Sequence, residues 1–321
     1  MFALGRTAFY YGLLKIDLNK NNKILIPNYI CKSLLVPINK LNLNYCYYSI
    51  NNNFEPDFKD IKNKLNLGDY LLIVHYFGVA QNLTRILEFC KKNKIKLIED
   101  NAHGYSGEFK KKKLGTFGEL GFSSPRKILN ILTGGILYFR GKIYNIPLPK
   151  YKLTNLDYLK FYLFNFKKIR YFLKRVYYLL NLNKNYDNTF LNNSADAKSD
   201  FYFKKVDWNL ISKKRRDRWK KLVKYFDSSH SRPVWRKINA KSCPWVIPFK
   251  ARNIFYRDKI INWGIKNNLN IISWPNLPEH QNSHDYEICI KTWKKIFCIE
   301  LNDSVDLFFK IKSKKKYIFS N

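Results

Sequence analysis

Sulfur and acid are what this chain has least of. Its 321 residues hold one methionine, six cysteines and 24 acidic side chains against 59 lysines and arginines. The cysteines, Cys31, Cys46, Cys90, Cys243, Cys289 and Cys298, form no C-x-x-C pair and no His/Cys cluster at zinc-ligand spacing, which points to a reducing cytoplasm and to no structural metal. No run of about eighteen uncharged apolar residues is present, so no spanning helix is expected. The opening MFALGRTAFYYGLL is interrupted by Arg6 and followed by no small-residue cleavage site, so it does not read as a secretion signal. Disorder is excluded too, because 46% of the residues are hydrophobic.

The shortage of acid leaves a formal charge of +35. Such a charge ordinarily suggests nucleic acid or an anionic membrane. Here the lysines run through the whole chain among many Asn, Ile, Tyr and Phe, the residue set of an AT-rich coding sequence. Composition therefore explains the charge better than a polyanion does, no nucleic-acid partner is expected, and a small anionic substrate suits either origin.

What is there is concentrated between Ile95 and Gly135. Ile95 to Ile98 reads as a short buried strand that delivers Glu99, Asp100 and His103 at its end, where open α/β sheets bind ligands. Leu120 to Ser123 reads as a second strand, followed by Ser124, Pro125, Arg126, Lys127 and then Gly134-Gly135. A carboxylate, an imidazole, hydroxyls and one lysine delivered this way fit pyridoxal phosphate (PLP) held as a lysine Schiff base, with a carboxylate on the pyridinium nitrogen. An ionised Asp beside that nitrogen keeps it protonated and the ring electron-withdrawing.

Taken together, IEDNAHGYSG, LGTFGELGFSSPRK and the Gly pair after the lysine resemble the DegT/DnrJ/EryC1/StrS family of PLP-dependent sugar aminotransferases, of the aspartate aminotransferase fold type. The resemblance implies that Asp100 binds the pyridine nitrogen, His103 the ring face or phenolic oxygen, Ser123 or Ser124 the phosphate, and that Lys127 forms the Schiff base. It also implies that Gly5, Arg6 and Thr7, at the start of the first helix, cup the phosphate; without the resemblance they read as an ordinary helix start. The loop after KILIP (Lys23 to Pro27) would set Tyr29 or Cys31 near the ring, Tyr29 either stacking there or packing on the core. Arg126 could meet an anionic group or form a structural ion pair.

Elsewhere, Tyr70 to Tyr76 reads as a strand buried on both faces, and His75 at its end as a hydrogen-bonded core residue. Leu83 to Asn93 is a helix, and this alternation predicts a mostly parallel sheet. Lys110 to Lys113 reads as a solvated hairpin tip. Residues 153–182 suggest amphipathic basic helices packed on the large domain or on a partner subunit, with contact to a membrane surface as the less favoured reading. Asn183 to Asp200 reads as a linker, Asp207-Trp208 as a helix start and Lys310 to Asn321 as a frayed end.

The expectation is an α/β chain with a large PLP-binding domain over residues 1–199 and a smaller α+β domain over 200–321. By resemblance it is a cytoplasmic homodimer moving an amino group, plausibly from glutamate as donor, to a nucleotide-linked keto-sugar in surface polysaccharide, lipopolysaccharide or related glycan synthesis. Two departures from the family are a short leader, with four residues before Gly5, and the lack of a G-Y-N-x-R-type loop. They leave a non-catalytic relative as one alternative and a basic nucleic-acid or membrane binder as another. Sugar dehydration is a third, disfavoured because dehydrating relatives often carry His where Lys127 stands.

Overall fold

The computed structural model describes residues 1–18, 21–155, 157, 159, 191–267, 269–274, 277–278 and 284–311. Most of the expected 153–182 helices and of the 310–321 end lie outside the described residues.

The first helix, α1 (Gly5–Leu13), leads to β1 (Ile24–Pro27), α2 (Leu35–Lys40), β2 (Tyr45–Tyr48), α3 (Phe58–Lys64), β3 (Tyr70–Val74), α4 (Leu83–Lys92) and β4 (Lys96–Asn101). The hairpin β5 (Glu108–Phe109) and β6 (Lys112–Lys113) follows, then β7 (Leu120–Ser123), β8 (Ile136–Phe139) and β9 (Lys142–Tyr144). Seven of these strands form one sheet in the order β2-β1-β3-β4-β7-β8-β9. The first five run parallel, and β8 and β9 are antiparallel. Every residue of β1 and β3 is buried, as helix cover on both faces requires. Helix α4 shows how local chemistry sets an element: Asn82 caps it by accepting from the Arg85 N–H, and Leu83, Ile86 and Cys90 form its buried stripe.

Beyond residue 190 come α5 (Ala197–Lys205), α6 (Trp208–Phe226), β10 (Ser231–Pro233), β11 (Val246–Ala251), α7 (Ile254–Lys266), β12 (Ile271–Ile272), α8 (His284–Trp293), β13 (Ile296–Glu300) and α9 (Asp303–Ile311). Their strands make a separate antiparallel sheet, β10-β11-β13-β12. The two sheets share a core in which Val246, Ile272, Trp274 and Cys298 pack with Tyr29, Tyr76 and Phe77. Burying side chains of this size contributes roughly 1.5–3 kcal/mol each.

The 191–200 stretch, expected as linker, is bound into the large sheet's surroundings. Ala3 donates to the Asn193 carbonyl, Ala195 to that of Met1, and the Thr133 hydroxyl donates to Asp196 at 2.6 Å. Asp196 also caps α5, so residue 200 lies within a helix. Polar composition suggested a loose connection; satisfied backbone groups and a buried capping carboxylate made it a packed one.

Candidate active site

Strand β4 carries two adjacent buried carboxylates, and a strand turns successive side chains to opposite faces. Glu99 accepts four hydrogen bonds: from the backbone N–H groups of Gly115, Phe117 and Gly118 at 3.0, 2.5 and 2.8 Å, and from His75 Nε2 at 2.9 Å. His75 Nδ1 in turn accepts from the Gln81 N–H. His75 and Glu99 are both 0% exposed, so this side of β4 is a filled structural network that shapes the Gly115–Gly118 turn, and His75 is the core residue expected of it.

Asp100, on the other side, accepts from one backbone group, the Ala102 N–H at 2.8 Å. Burial pushes its carboxyl up, while that N–H, the Lys127 charge and His75 pull the other way. Lys127 arrives from the neighbouring parallel strand. In the register of β4 on β7 Asp100 pairs with Phe122 and Asn101 with Ser123, and the chain then passes Ser124 and turns at Pro125 to Lys127. Burial brings the Lys127 amine down to about 8, against the opposing pull of Cys31 and Asp100. A buried amine that is readily deprotonated beside a buried carboxylate is the pairing that nucleophilic and proton-transfer chemistry uses.

His103 follows in the loop after β4. Its Nδ1 accepts from the Phe77 N–H at 3.2 Å, which leaves Nε2 to carry the proton, and burial drives its pKa well down, so the ring is neutral. The Phe77 N–H is turned toward it by a left-handed backbone at Phe77, φ 60°. Gly78 follows with φ 90°, pressed against the His103 carbonyl and the backbone of Cys243 and Pro244, and a side chain there would collide with all three.

The start of α1 closes the site from below. No side chain caps this helix, and Gly5 packs on Ser124, whose Cβ would lie 3.2 Å from a Cβ at residue 5. The Gly pair explains that placement. Phe2 and Gly135 exchange backbone hydrogen bonds at 2.9 and 2.8 Å, the Gly134 N–H donates to the Ala3 carbonyl, and the Leu4 carbonyl occupies the space of a Gly135 side chain. Thr7 is buried in the first turn and Arg6 half-buried. Cys31 lies near enough to Lys127 to act on it electrostatically. Tyr29 is fixed in the core, its hydroxyl donating to the Trp274 carbonyl at 2.9 Å and its ring edge-on to Phe54. Arg126 is exposed on the turn.

The sequence profile of the DegT/DnrJ/EryC1/StrS aminotransferase family matches residues 3–143, the span that carries Asp100, His103 and Lys127. Residues 3–143 are similar to that family. GDP-perosamine synthase of Escherichia coli O157:H7 is 24% identical over 118 residues, 36% of this chain, and the match spans only 32% of that relative's length. Among solved structures, Helicobacter pylori PseC, an aminotransferase of pseudoaminic acid biosynthesis, superposes with TM-score 0.66 at 13% identity over 95% of this chain and 83% of its own. The E. coli GDP-4-keto-6-deoxy-D-mannose-3-dehydratase with bound hydrated PLP gives 0.61 at 15% identity over 97% and 86%. The fold is thus that of the PLP enzymes of the aspartate aminotransferase type, with a small antiparallel domain after the family region.

That small domain supplies site residues that motif reading missed. The Trp245 N–H donates to the carbonyls of both Phe77 and His103, at 3.0 and 3.1 Å, and its ring lies against His103 with centroids 4.9 Å apart. Lys127 Nζ sits 4.7 Å from the centre of the same ring. Trp274 meets His103 edge-on at 4.7 Å. Behind Trp245 lies the buried Arg215 of α6. The sequence held a signal for it: Ser212, Arg215, Trp219, Leu222 and Phe226 recur at three and four residues, so one arginine of the K-K-R-R run falls in the buried stripe. Among the described residues no group of His, Cys, Asp and Glu could hold a metal, and no helix is long and apolar enough to cross a membrane.

Proposed function

We propose that this chain is a PLP-dependent sugar aminotransferase, moving an amino group from a donor, glutamate by preference, to a keto-sugar carried on a nucleotide. The observation that carries the reading is the convergence, from adjacent parallel strands, of an incompletely saturated carboxylate (Asp100), a lysine with a lowered pKa (Lys127) and a neutral imidazole (His103).

The residues present fit PLP. Asp100 suits the pyridine nitrogen, because its carboxylate keeps acceptor capacity beyond the Ala102 N–H; burial pushes its carboxyl up, and a protonated ring nitrogen would favour its charged form. The uncapped start of α1 with Gly5, Arg6 and Thr7, lying against Ser123 and Ser124, suits the phosphate. His103 has its Nε2–H available to donate to the phenolic oxygen. When bound, the cofactor supplies an aldehyde that carries the amino group and a ring that withdraws electrons. Lys127 would hold it covalently and would move a proton at its Nζ. The Trp245 ring covers one side of the amine of this half-buried lysine. Cys31 borders Lys127, and Tyr29 backs the same loop from the core.

The excess of basic side chains favours an anionic, nucleotide-linked acceptor. A cytoplasmic homodimer serving surface polysaccharide, lipopolysaccharide or a related glycan completes the reading, with the large domain ending near residue 199. The test is the near-visible spectrum of the purified protein with added PLP, before and after borohydride. A yellow band that borohydride fixes at Lys127, that glutamate bleaches and that Lys127→Ala abolishes supports the reading; no band in the wild type overturns it. A dehydratase shares the fold. If the keto-sugar lost a hydroxyl without gaining nitrogen, that second reading would replace the first.

A further inference from the structure

Arg215 is 5% exposed, yet among the described residues its guanidinium meets no carboxylate in hydrogen-bond contact. Its partners are three backbone carbonyls. Nη1 donates to Pro244 and Trp245, each at 3.0 Å, and Nη2 to Ile128 at 2.7 Å. Ile128 is the residue after Lys127, at the end of the lysine turn, and Trp245 is the residue whose ring covers the lysine amine. One rigid fork therefore ties the carbonyl next to the lysine to the carbonyl of the tryptophan that covers it, across the two sheets. Burying a guanidinium with no carboxylate in contact is costly, and desolvation brings its pKa down to about 10, against a weaker opposing pull from Cys243, Glu300 and Asp303. Removing the guanidinium leaves three carbonyls without that donor, so a role in folding alone predicts lost stability and no change at the lysine.

Three residues along the same helix stands a contrast. Arg218 is equally buried but binds Asp303, Asp306 and the Leu301 carbonyl, all at the far end of the small domain.

We propose that Arg215 is the positioning residue for Lys127, setting the lysine turn and the Trp245 ring against each other so that the amine stays covered and aimed into the site. This rests on the reading of Lys127 as the cofactor lysine for its consequence, though not for its geometry. A lysine at 215 offers one ammonium in place of a fork and reaches fewer of the three carbonyls.

The experiment compares wild type, Arg215→Met, Arg215→Lys and Arg218→Met by melting temperature, by competitive acetylation of Lys127 against pH without cofactor, and by borohydride-fixed capture of PLP at Lys127. Both methionine variants are expected to melt earlier. In Arg215→Met alone, acetylation of Lys127 speeds up by about tenfold and its pH midpoint moves by about one unit toward the ordinary lysine value, as the amine loses its cover. PLP capture at Lys127 slows in the same variant, and Arg215→Lys falls between it and wild type. Unchanged acetylation in folded Arg215→Met, or an equal change in Arg218→Met, overturns the proposal. If the wild type captures no PLP, the cofactor reading falls while the acetylation profiles still decide the role of Arg215.

Discussion

Glu99 and Asp100 are neighbours on one strand, both carboxylates, both in the core, and they do opposite things. Glu99 has four hydrogen-bond donors around it; Asp100 has one backbone donor and a lysine. A buried carboxylate saturated by fixed N–H groups is part of the scaffold, because nothing is left for it to exchange. One left with spare acceptor capacity beside a lysine of lowered pKa is free to act as a reagent. The alternation of the strand permits the two roles a residue apart, so burial alone cannot assign function.

The comparison can be broken most directly at Glu99. In Glu99→Gln an amide nitrogen faces some of the same N–H donors, and losing a buried partnered charge should cost about 3–5 kcal/mol, read as a large fall in urea midpoint. If the variant folds normally but loses chemistry, the roles assigned here are reversed. Asp100→Asn should leave the urea midpoint nearly in place and lower turnover by about 10²–10³, as for removal of one preorganised electrostatic group. A smaller, sharper probe is pH. Only the neutral amine attacks an aldehyde, and burial lowers the Lys127 pKa, so PLP capture should rise with pH and level off above about 8. A profile still climbing toward the value of a free lysine would place Lys127 in water. The least effect is expected of Tyr29→Phe, which removes one hydrogen bond to the Trp274 carbonyl, costs about 1 kcal/mol and leaves capture unchanged.

The large sheet was legible because its strands are short, almost wholly apolar and separated by capped helices. The strand Leu120–Ser123 and the helix Leu83–Lys92 fall within a residue of the bounds expected. That Asp100, His103 and Lys127 lie together at the carboxyl edge of the sheet was legible for a related reason, since each lies at or directly after a strand end. The packed stretch at 191–200 was not, because Asn, Ser and Asp read as a loop until a buried Thr133 is there to receive them. Trp245 was hidden too, lying more than a hundred residues from the motifs around Asp100, and for Arg215 the helical stripe signalled burial but not its partners.

By itself, then, the sequence determined the period, polarity and order of the elements, and with them the parallel sheet and the residues at its carboxyl edge. These are local properties, fixed by alternation and capping within a few residues. Only the tertiary structure decided which carboxylate is saturated, why Gly135 must lack a side chain, and that a tryptophan and an arginine from the second sheet complete the surroundings of the lysine. Those depend on contacts between distant segments, and hydrogen-bond satisfaction is a property of where chains meet rather than of any stretch of one.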